Sequence, residues 1–225
     1  MTSIAEQLRA TAAEEWARIL RHPFVKGIGS GQVSLAQMRY FITQDYQYLQ
    51  DFLPALAIMG ARAGQAAWIR TLLRHAQEGL AVEEDLHASL APELGMNLEQ
   101  LRTAAAGIIT QAYRDHLVRT AYAEPFAVAV AAVLPCYWTY QEIGQMLAAQ
   151  KTQPSQPYLA QWIKTYAGEE YGATVEELLA VLNTMDDLSA REWRRMQEVF
   201  AVSMRYERLF WTQAWYQGDI LRSEE

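Results

Sequence analysis

The chain contains a single cysteine, Cys136, whose setting is compatible with either inert packing or a nucleophile. Pro135, directly before it, cannot donate a backbone hydrogen bond and disfavours helical geometry at Leu134. Tyr140 lies four residues further on and hence on the same helical face. A cysteine beside such a break in an apolar helix is well placed to face a cavity, but a free cysteine also packs as a small hydrophobe. The thiol alone leaves both interpretations open.

Two carboxylates occupy positions where the helical pattern calls for apolar residues. Asp45 interrupts the apolar stripe of the second predicted helix, with Tyr48 three residues on, and Glu207 interrupts that of the last helix, between Phe200 and Phe210. A buried, unpaired carboxylate is costly or takes up a proton. A partner arginine or a stripe turned to solvent would explain either residue alone. Together with a thiol, the two can supply a nucleophile, a hydrogen-bonding anchor and a proton donor.

Aromatic residues are the next candidates for a binding site. The 225 residues include twelve tyrosines and seven tryptophans. Tyr113 follows Ile109 at helical spacing, and Tyr166 follows Trp162 in the same way. Such rings are usually core fillers, but they can also form a slot in which a flat ring stacks.

Composition limits the class of protein. With 51% hydrophobic residues and no linker rich in Pro, Gly or Ser, we expect residues 1–225 to form one domain. The net charge of −7 argues against nucleic-acid binding, and no apolar run of about 18 residues predicts a membrane span. The first residues lack the charged and apolar regions of a secretory signal, which together with the lone cysteine favours the cytoplasm.

The apolar spacing is helical almost throughout and predicts an all-α, single-domain bundle of about eight helices. The first helix should end at His22, followed by a loop over residues 23–32. Capping boxes at Ser34, Thr174 and Ser189 predict three helix starts. The helix that carries the cysteine should begin after Glu124 and reach about residue 150.

Five segments together resemble the TenA family, also called thiaminase II. They stand in the family's order and run from near one end of the chain to near the other. They are His22-Pro23-Phe24-Val25-Lys26-Gly27-Ile28-Gly29, Gln44-Asp45-Tyr46-Gln47-Tyr48-Leu49, Pro135-Cys136-Tyr137-Trp138-Thr139-Tyr140, Trp162-Ile163-Lys164-Thr165-Tyr166-Ala167-Gly168-Glu169-Glu170 and Met204-Arg205-Tyr206-Glu207-Arg208-Leu209-Phe210-Trp211.

The resemblance implies a haem-oxygenase-like helical fold without haem, with no cofactor or metal, and commonly a homotetramer. It also implies hydrolysis at the methylene carbon on C5 of a 2-methyl-4-aminopyrimidine. The leaving group is then either the thiazolium of thiamin or ammonia from the aminomethylpyrimidine, and both reactions yield the hydroxymethylpyrimidine precursor of thiamin. The implied partner is this small molecule.

Residue roles follow from the same resemblance. Cys136 would be the nucleophile that adds to the pyrimidine ring, Asp45 would anchor a ring nitrogen and the 4-amino group, and Glu207 would handle the proton at the leaving group and at water. The pocket would be lined by Tyr48, Tyr113, Tyr140, Tyr166 and Phe210, of which Tyr113 depends on order and spacing more than on a distinctive motif.

Three rival interpretations are weaker. A ferritin-like di-iron bundle needs two Glu-x-x-His pairs, and the sequence has one, Glu84 to His87, on an acidic helix face. A haem protein needs an axial ligand, for which His22 is the candidate, although a histidine there more readily ends a helix. The third alternative is a non-catalytic pyrimidine-binding or regulatory protein; the acidic charge disfavours direct contact with DNA.

Overall fold

A computed structural model describes residues 2–219 and, within that range, every side chain except those of residues 82–89. The described part contains eleven α-helices and no strand, which confirms the all-α class with three helices more than predicted. They are α1 (Ile4–Thr11), α2 (Ala13–Leu20), α3 (Pro23–Ser30), α4 (Leu35–Arg62), α5 (Ala66–Glu93), α6 (Leu98–Thr103), α7 (Ile108–Ala123), α8 (Phe126–Ala148), α9 (Pro157–Ala167), α10 (Glu169–Asn183) and α11 (Ala190–Trp215).

The predicted loop after the first helix is wrong, because residues 23–30 form α3. Pro23 takes the first helical position, where its missing N–H is no loss. His22 caps this helix, since its Nδ1 accepts a hydrogen bond from the backbone N–H of Phe24 at 3.2 Å. Gly31, in the left-handed region at φ 72°, ends it. His22 therefore starts a helix, and the preceding helix has already ended at Leu20.

Two further expectations about helix limits need correction. The capping boxes at Ser34 and Ser189 are confirmed, but Thr174 lies inside α10, where its hydroxyl donates to the carbonyl oxygen of Glu170 at 3.1 Å. The helix α10 begins earlier, after Gly168. The expected break at Pro135 is also absent, because α8 continues through this residue without interruption.

The most apolar helix, α8, forms the centre of the core. Its residues 127–135 are all buried, and it packs against α9, α10 and α11, while α4 packs against α5 and α7. Each buried valine or leucine side chain contributes about 1.5–3 kcal/mol to folding. The helices α4, α8 and α11 also contact one another, so Asp45, Cys136 and Glu207 approach the same part of the core. None of the helices in the described range has the length and apolarity to cross a membrane.

A close helix contact positions α9 against α8. A Cβ added at Gly144 would lie 2.4 Å from the carbonyl carbon of Tyr166 and 2.6 Å from the nitrogen of Ala167. Both are backbone atoms, so no side-chain rotation could relieve the overlap. The glycine therefore sets the distance at which the end of α9, including Tyr166, meets α8.

Replacing Gly144 with alanine should separate α8 from α9. We expect Gly144→Ala to lower the free energy of unfolding by about 1–3 kcal/mol, the usual cost of overpacking. Gly64 provides the matched control, since a Cβ there meets no atom within 4 Å. Urea denaturation of both variants checks this, and equal stability of Gly144→Ala and Gly64→Ala would contradict it.

Candidate active site

Two of the three predicted catalytic groups open into one cavity. This cavity has a volume of about 790 Å³ and is bordered by α4, α5, α8, α9 and α10. Asp45 on α4 and Cys136 on α8 both line it. The sequence-based hypothesis requires all three groups to open into one cavity, and the structure brings Asp45 and Cys136 together there but not Glu207.

Cys136 is only partly buried, because its side chain borders the cavity. Burial raises the pKa of its thiol well above the ordinary value, and the nearby negative charges of Glu207 and Asp45 raise it further. The Tyr48 hydroxyl acts in the opposite direction by interacting with the sulfur. The resting thiol is therefore protonated at neutral pH, and a ligand that neutralises Asp45 would ease its ionisation.

Glu207 lies outside the cavity lining and is only 2% exposed. The hydroxyl of Tyr113 donates a hydrogen bond of 2.7 Å to its Oε1. Burial raises the pKa of Glu207 to about 8; the Tyr113 hydrogen bond opposes this shift, and the charge of Asp45 adds to it. This carboxyl therefore holds a proton at neutral pH, as a general acid must.

Tyr48 and Tyr113 connect Glu207 to the cavity. Tyr48 lines the cavity, its ring centroid lies 5.1 Å from that of Tyr113, and Phe210 meets it edge-on at 5.9 Å. Among the described residues, the buried Tyr48 hydroxyl has no partner with full hydrogen-bond geometry, although it is near the Cys136 sulfur. The hydroxyl of Tyr48 thus lies between the Cys136 sulfur and the Tyr113 hydroxyl, with which it interacts.

Tyr140 and Tyr166 provide an aromatic wall. Both line the cavity and meet edge-to-face, with ring centroids 5.0 Å apart. Behind them, Trp162 lies 4.5 Å from Tyr166, and Trp211 lies 5.0 Å from Tyr140, again between ring centroids. Of the five aromatic residues predicted to line the pocket, Tyr48, Tyr140 and Tyr166 border the cavity. Tyr113 and Phe210 pack behind it, against Tyr48.

The chain is similar in sequence to proteins of one known family. The sequence model described as the TENA/THI-4/PQQC family matches residues 9–217. The chain belongs to this family. An aminopyrimidine aminohydrolase of Halalkalibacterium halodurans is 31% identical over 214 residues, covering 95% of this chain and 96% of that protein. Another from Bacillus subtilis is 32% identical over 227 residues, covering 98% of this chain and 95% of the relative.

Solved structures confirm the fold. A TenA homologue from P. horikoshii OT3 superposes with a TM-score of 0.89 at 27% identity, covering 96% of this chain and 100% of that one. A domain with a heme oxygenase-like fold from Shewanella denitrificans has a TM-score of 0.74 at 14% identity, covering 97% of this chain and 95% of the other. The haem-oxygenase-like fold of this TENA/THI-4/PQQC family member is thus shown.

The rival metal sites find no support in the described side chains. Both ring nitrogens of His22 are engaged, Nδ1 with the backbone of Phe24 and Nε2 with the Thr212 hydroxyl at 3.2 Å. His22 is thus a capping residue. The side chains of Glu84 and His87 lie outside the described set. Among the side chains that are described, no group of three His, Cys, Asp or Glu residues is arranged to hold a metal ion.

Several cavity residues of this family member were not predicted from the sequence. They come mainly from α5 and from the part of α10 that follows Glu170, where no motif singles them out. Tyr137 is the exception, since its position next to Cys136 is a signal that the sequence does contain. The unpredicted residues that contact the cavity include Phe52, Arg74, His75, Tyr137, Tyr171 and Glu177.

The raised pKa of Glu207 predicts a pH-dependent stability. Its folded-state pKa of about 8 exceeds the ordinary 4.5, so the folded state binds the proton more tightly. The stability of the folded state should therefore decline as pH rises through that interval, by about 1.4 kcal/mol for each pH unit. Glu207→Gln removes this titration while its amide oxygen can still accept from Tyr113. We expect urea denaturation to show that the free energy of unfolding of the variant, relative to that of the wild type, increases by a few kcal/mol between about pH 5 and 9.

The control for this prediction is Glu198→Gln, at an exposed position on the same helix, where the side chain is 62% exposed and pairs with Arg195. The free energy of unfolding of this variant should change with pH in the same way as that of the wild type, because the Glu198 side chain is largely exposed to solvent. Parallel stability curves for the wild type and Glu207→Gln would contradict the assignment of a buried, proton-holding carboxyl.

Proposed function

We propose that this chain is an aminopyrimidine aminohydrolase, or thiaminase II, that serves thiamin salvage. It hydrolyses 2-methyl-4-aminopyrimidines at the methylene carbon on C5, releasing ammonia from the aminomethylpyrimidine or the thiazole from thiamin. The observation that carries the proposal is the shared cavity of Cys136 and Asp45, walled by tyrosines and coupled electrostatically to a protonated Glu207. The two relatives at 31% and 32% identity, both named aminopyrimidine aminohydrolase, support it.

Asp45 is the proposed anchor of the pyrimidine. Its carboxylate accepts hydrogen bonds from a protonated ring nitrogen and from the 4-amino group, both of which are donors. The flat ring then lies against Tyr140 and Tyr166, whose faces favour stacking. Protonation makes the ring electron-poor, which is the form that a thiolate attacks.

Cys136 is the proposed nucleophile. Direct displacement at the methylene carbon is slow, whereas addition of the sulfur to the ring pushes electrons outward and expels the leaving group, replacing one high barrier by two lower ones. Water then adds at the methylene carbon, and the sulfur leaves the ring. Pairing of Asp45 with a cationic ring removes part of the negative field that raises the thiol pKa, so substrate binding itself favours the thiolate.

Glu207 is the proposed proton donor. An amine leaves poorly as an amide anion, so it must be protonated as the bond breaks. With a pKa of about 8, Glu207 carries that proton at neutral pH and can take one back from water in the second half of the reaction. Because Glu207 lies behind the cavity lining, the proton would pass between it and the cavity through the Tyr113 hydroxyl, which bonds to Glu207, and the Tyr48 hydroxyl, which interacts with Tyr113.

Replacing the sulfur should stop turnover. We expect Cys136→Ala and Cys136→Ser to abolish product formation from both thiamin and the aminomethylpyrimidine, because neither side chain supplies a thiolate. Products are read by mass spectrometry, and circular dichroism monitors the fold. Glu198→Gln, remote from the cavity lining, is the active control. Retained turnover in a folded Cys136 variant would contradict the assignment of Cys136 as the nucleophile. If the wild type bound the pyrimidine but did not turn it over, the non-catalytic alternative would be favoured.

Replacing the anchor should weaken binding. Asp45→Asn loses a charged acceptor, and hydrogen bonds to charged groups contribute about 1.5–3 kcal/mol, so the Kd for hydroxymethylpyrimidine should rise about tenfold or more by calorimetry. Asp51→Asn is the matched control, because Asp51 lies on the same helix, pairs with Arg114 at 2.6 Å and does not line the cavity. Equal affinities of the two variants would count against Asp45 as the anchor.

We also propose that residues 1–225 act as one domain, that the protein assembles as a homotetramer and that it works in the cytoplasm. The family resemblance supports the assembly. Hydrophobic side chains that remain exposed on the isolated chain, among them Leu73, Leu80, Ile108 and Tyr122, are available for such contacts.

A further inference from the structure

A buried histidine forms part of the cavity wall on the α5 side. His75 is only 3% exposed, and both of its ring nitrogens are engaged. Its Nε2 lies 2.9 Å from Oε2 of Glu177 on α10, and its Nδ1 lies 3.4 Å from the hydroxyl oxygen of Tyr137 on α8. A carboxylate can only accept, so Nε2 carries the hydrogen. In the neutral ring, Nδ1 then accepts from Tyr137.

Burial, rather than the surrounding charges, favours the neutral form of His75. Burial lowers its pKa, against the opposing effect of the Glu177 hydrogen bond. Arg74 and Glu78 on α5 and Glu177 on α10 are the charged groups that act on it, and Tyr137 faces it from α8. Burial would raise the pKa of Glu177, but hydrogen bonds from His75 and Arg74 outweigh it and lower that pKa. The pair is therefore a neutral imidazole beside an ionised carboxylate.

Tyr137 is the residue directly after Cys136. Its side chain lines the cavity, and its ring packs against Phe52 at 5.7 Å between centroids. Its carbonyl oxygen accepts a hydrogen bond of 3.2 Å from the hydroxyl of Tyr171, at the start of α10. Tyr137 is thus held at both its backbone and its side chain, and His75 is the partner that fixes the side chain.

We propose that His75 is a positioning residue, which holds the Tyr137 side chain through Nδ1 and thereby sets how the adjacent Cys136 thiol faces the cavity. This inference rests on the proposed function for its kinetic consequences, but the arrangement of the thiol can be tested without turnover. Protonation of Nδ1 would reverse this hydrogen bond: Nδ1–H would donate to the Tyr137 oxygen, and the Tyr137 hydroxyl hydrogen would lose its buried acceptor. The arrangement in which Tyr137 donates to His75 therefore persists only while the imidazole is neutral.

The test uses the fact that Cys136 is the only cysteine. Its rate of alkylation by iodoacetamide, followed by intact mass, reports the environment of the thiol without any substrate. We expect His75→Ala and Tyr137→Phe to change this rate at least about threefold and to lower kcat about tenfold, with KM within about twofold, as loss of one positioning hydrogen bond implies. Tyr137→Phe removes one hydroxyl only, so it carries the test if His75→Ala does not fold.

Two further variants separate positioning from simple structural support. His75→Asn places an amide oxygen near the position of Nδ1 and does not titrate. This variant should restore the alkylation rate and kcat to within about threefold of the wild type. It should also abolish the fall in kcat that protonation of the imidazole causes at acid pH, below the ordinary histidine pKa of about 6.5. His22→Asn is the control, since His22 is also buried, with a pKa lowered to about 4 by burial, but caps α3. Its thiol reactivity and pH profile should match the wild type.

The proposal is overturned if folded His75→Ala and Tyr137→Phe keep the alkylation rate, kcat and pH profile of the wild type. It is also overturned if His75→Asn is as impaired as His75→Ala, because then the acceptor at Nδ1 is not what matters. Absence of turnover in the wild type would refute the proposed function alone, since the alkylation rates would still decide the role of His75.

Discussion

The burial of ionisable groups inside an apolar bundle is the constraint on which the rest of the structure depends. Asp45 and Glu207 lie on the buried faces of α4 and α11, where most of the other buried side chains are aliphatic or aromatic. Desolvation makes a second negative charge in this region unfavourable, so Glu207 retains a proton that a solvated glutamate would lose. The same field keeps the Cys136 thiol protonated. In the resting site the Cys136 thiol and the Glu207 carboxyl are thus both protonated.

The surrounding packing maintains this state. The apolar α8 keeps water away from one side of Cys136, and the Tyr113 hydroxyl satisfies Glu207 without ionising it. The close approach at Gly144 holds Tyr166 and the end of α9 against α8. Each of these contacts serves the stability of the bundle and the electrostatics of the cavity together, because the site is part of the core.

The cavity wall formed by α5 and α10 differs from the aromatic wall because it carries charged side chains. There α5 and α10 contribute charged side chains, and Glu177 joins them by accepting from both Arg74 and His75. Ion pairs of this kind at a half-exposed surface contribute little to stability. Their structural consequence is local: they fix the tautomer of a buried imidazole, and the imidazole in turn holds Tyr137 beside Cys136.

Helical periodicity in the sequence was enough to predict the all-α class, and two of the three predicted capping boxes are present. The same periodicity singled out Asp45 and Glu207, because each is a charged residue in an otherwise apolar stripe, and Cys136 was a candidate as the lone thiol. The sequence could not place α3, because a glycine-bearing segment after Pro23 resembles a loop until packing buries it. It could not find His75 or Glu177 either, since neither breaks a pattern. The packing of the helices places Asp45 and Cys136 in one cavity and Glu207 behind Tyr48 and Tyr113, which the sequence did not predict. Distances between helices depend on side-chain packing, which no spacing along one helix encodes.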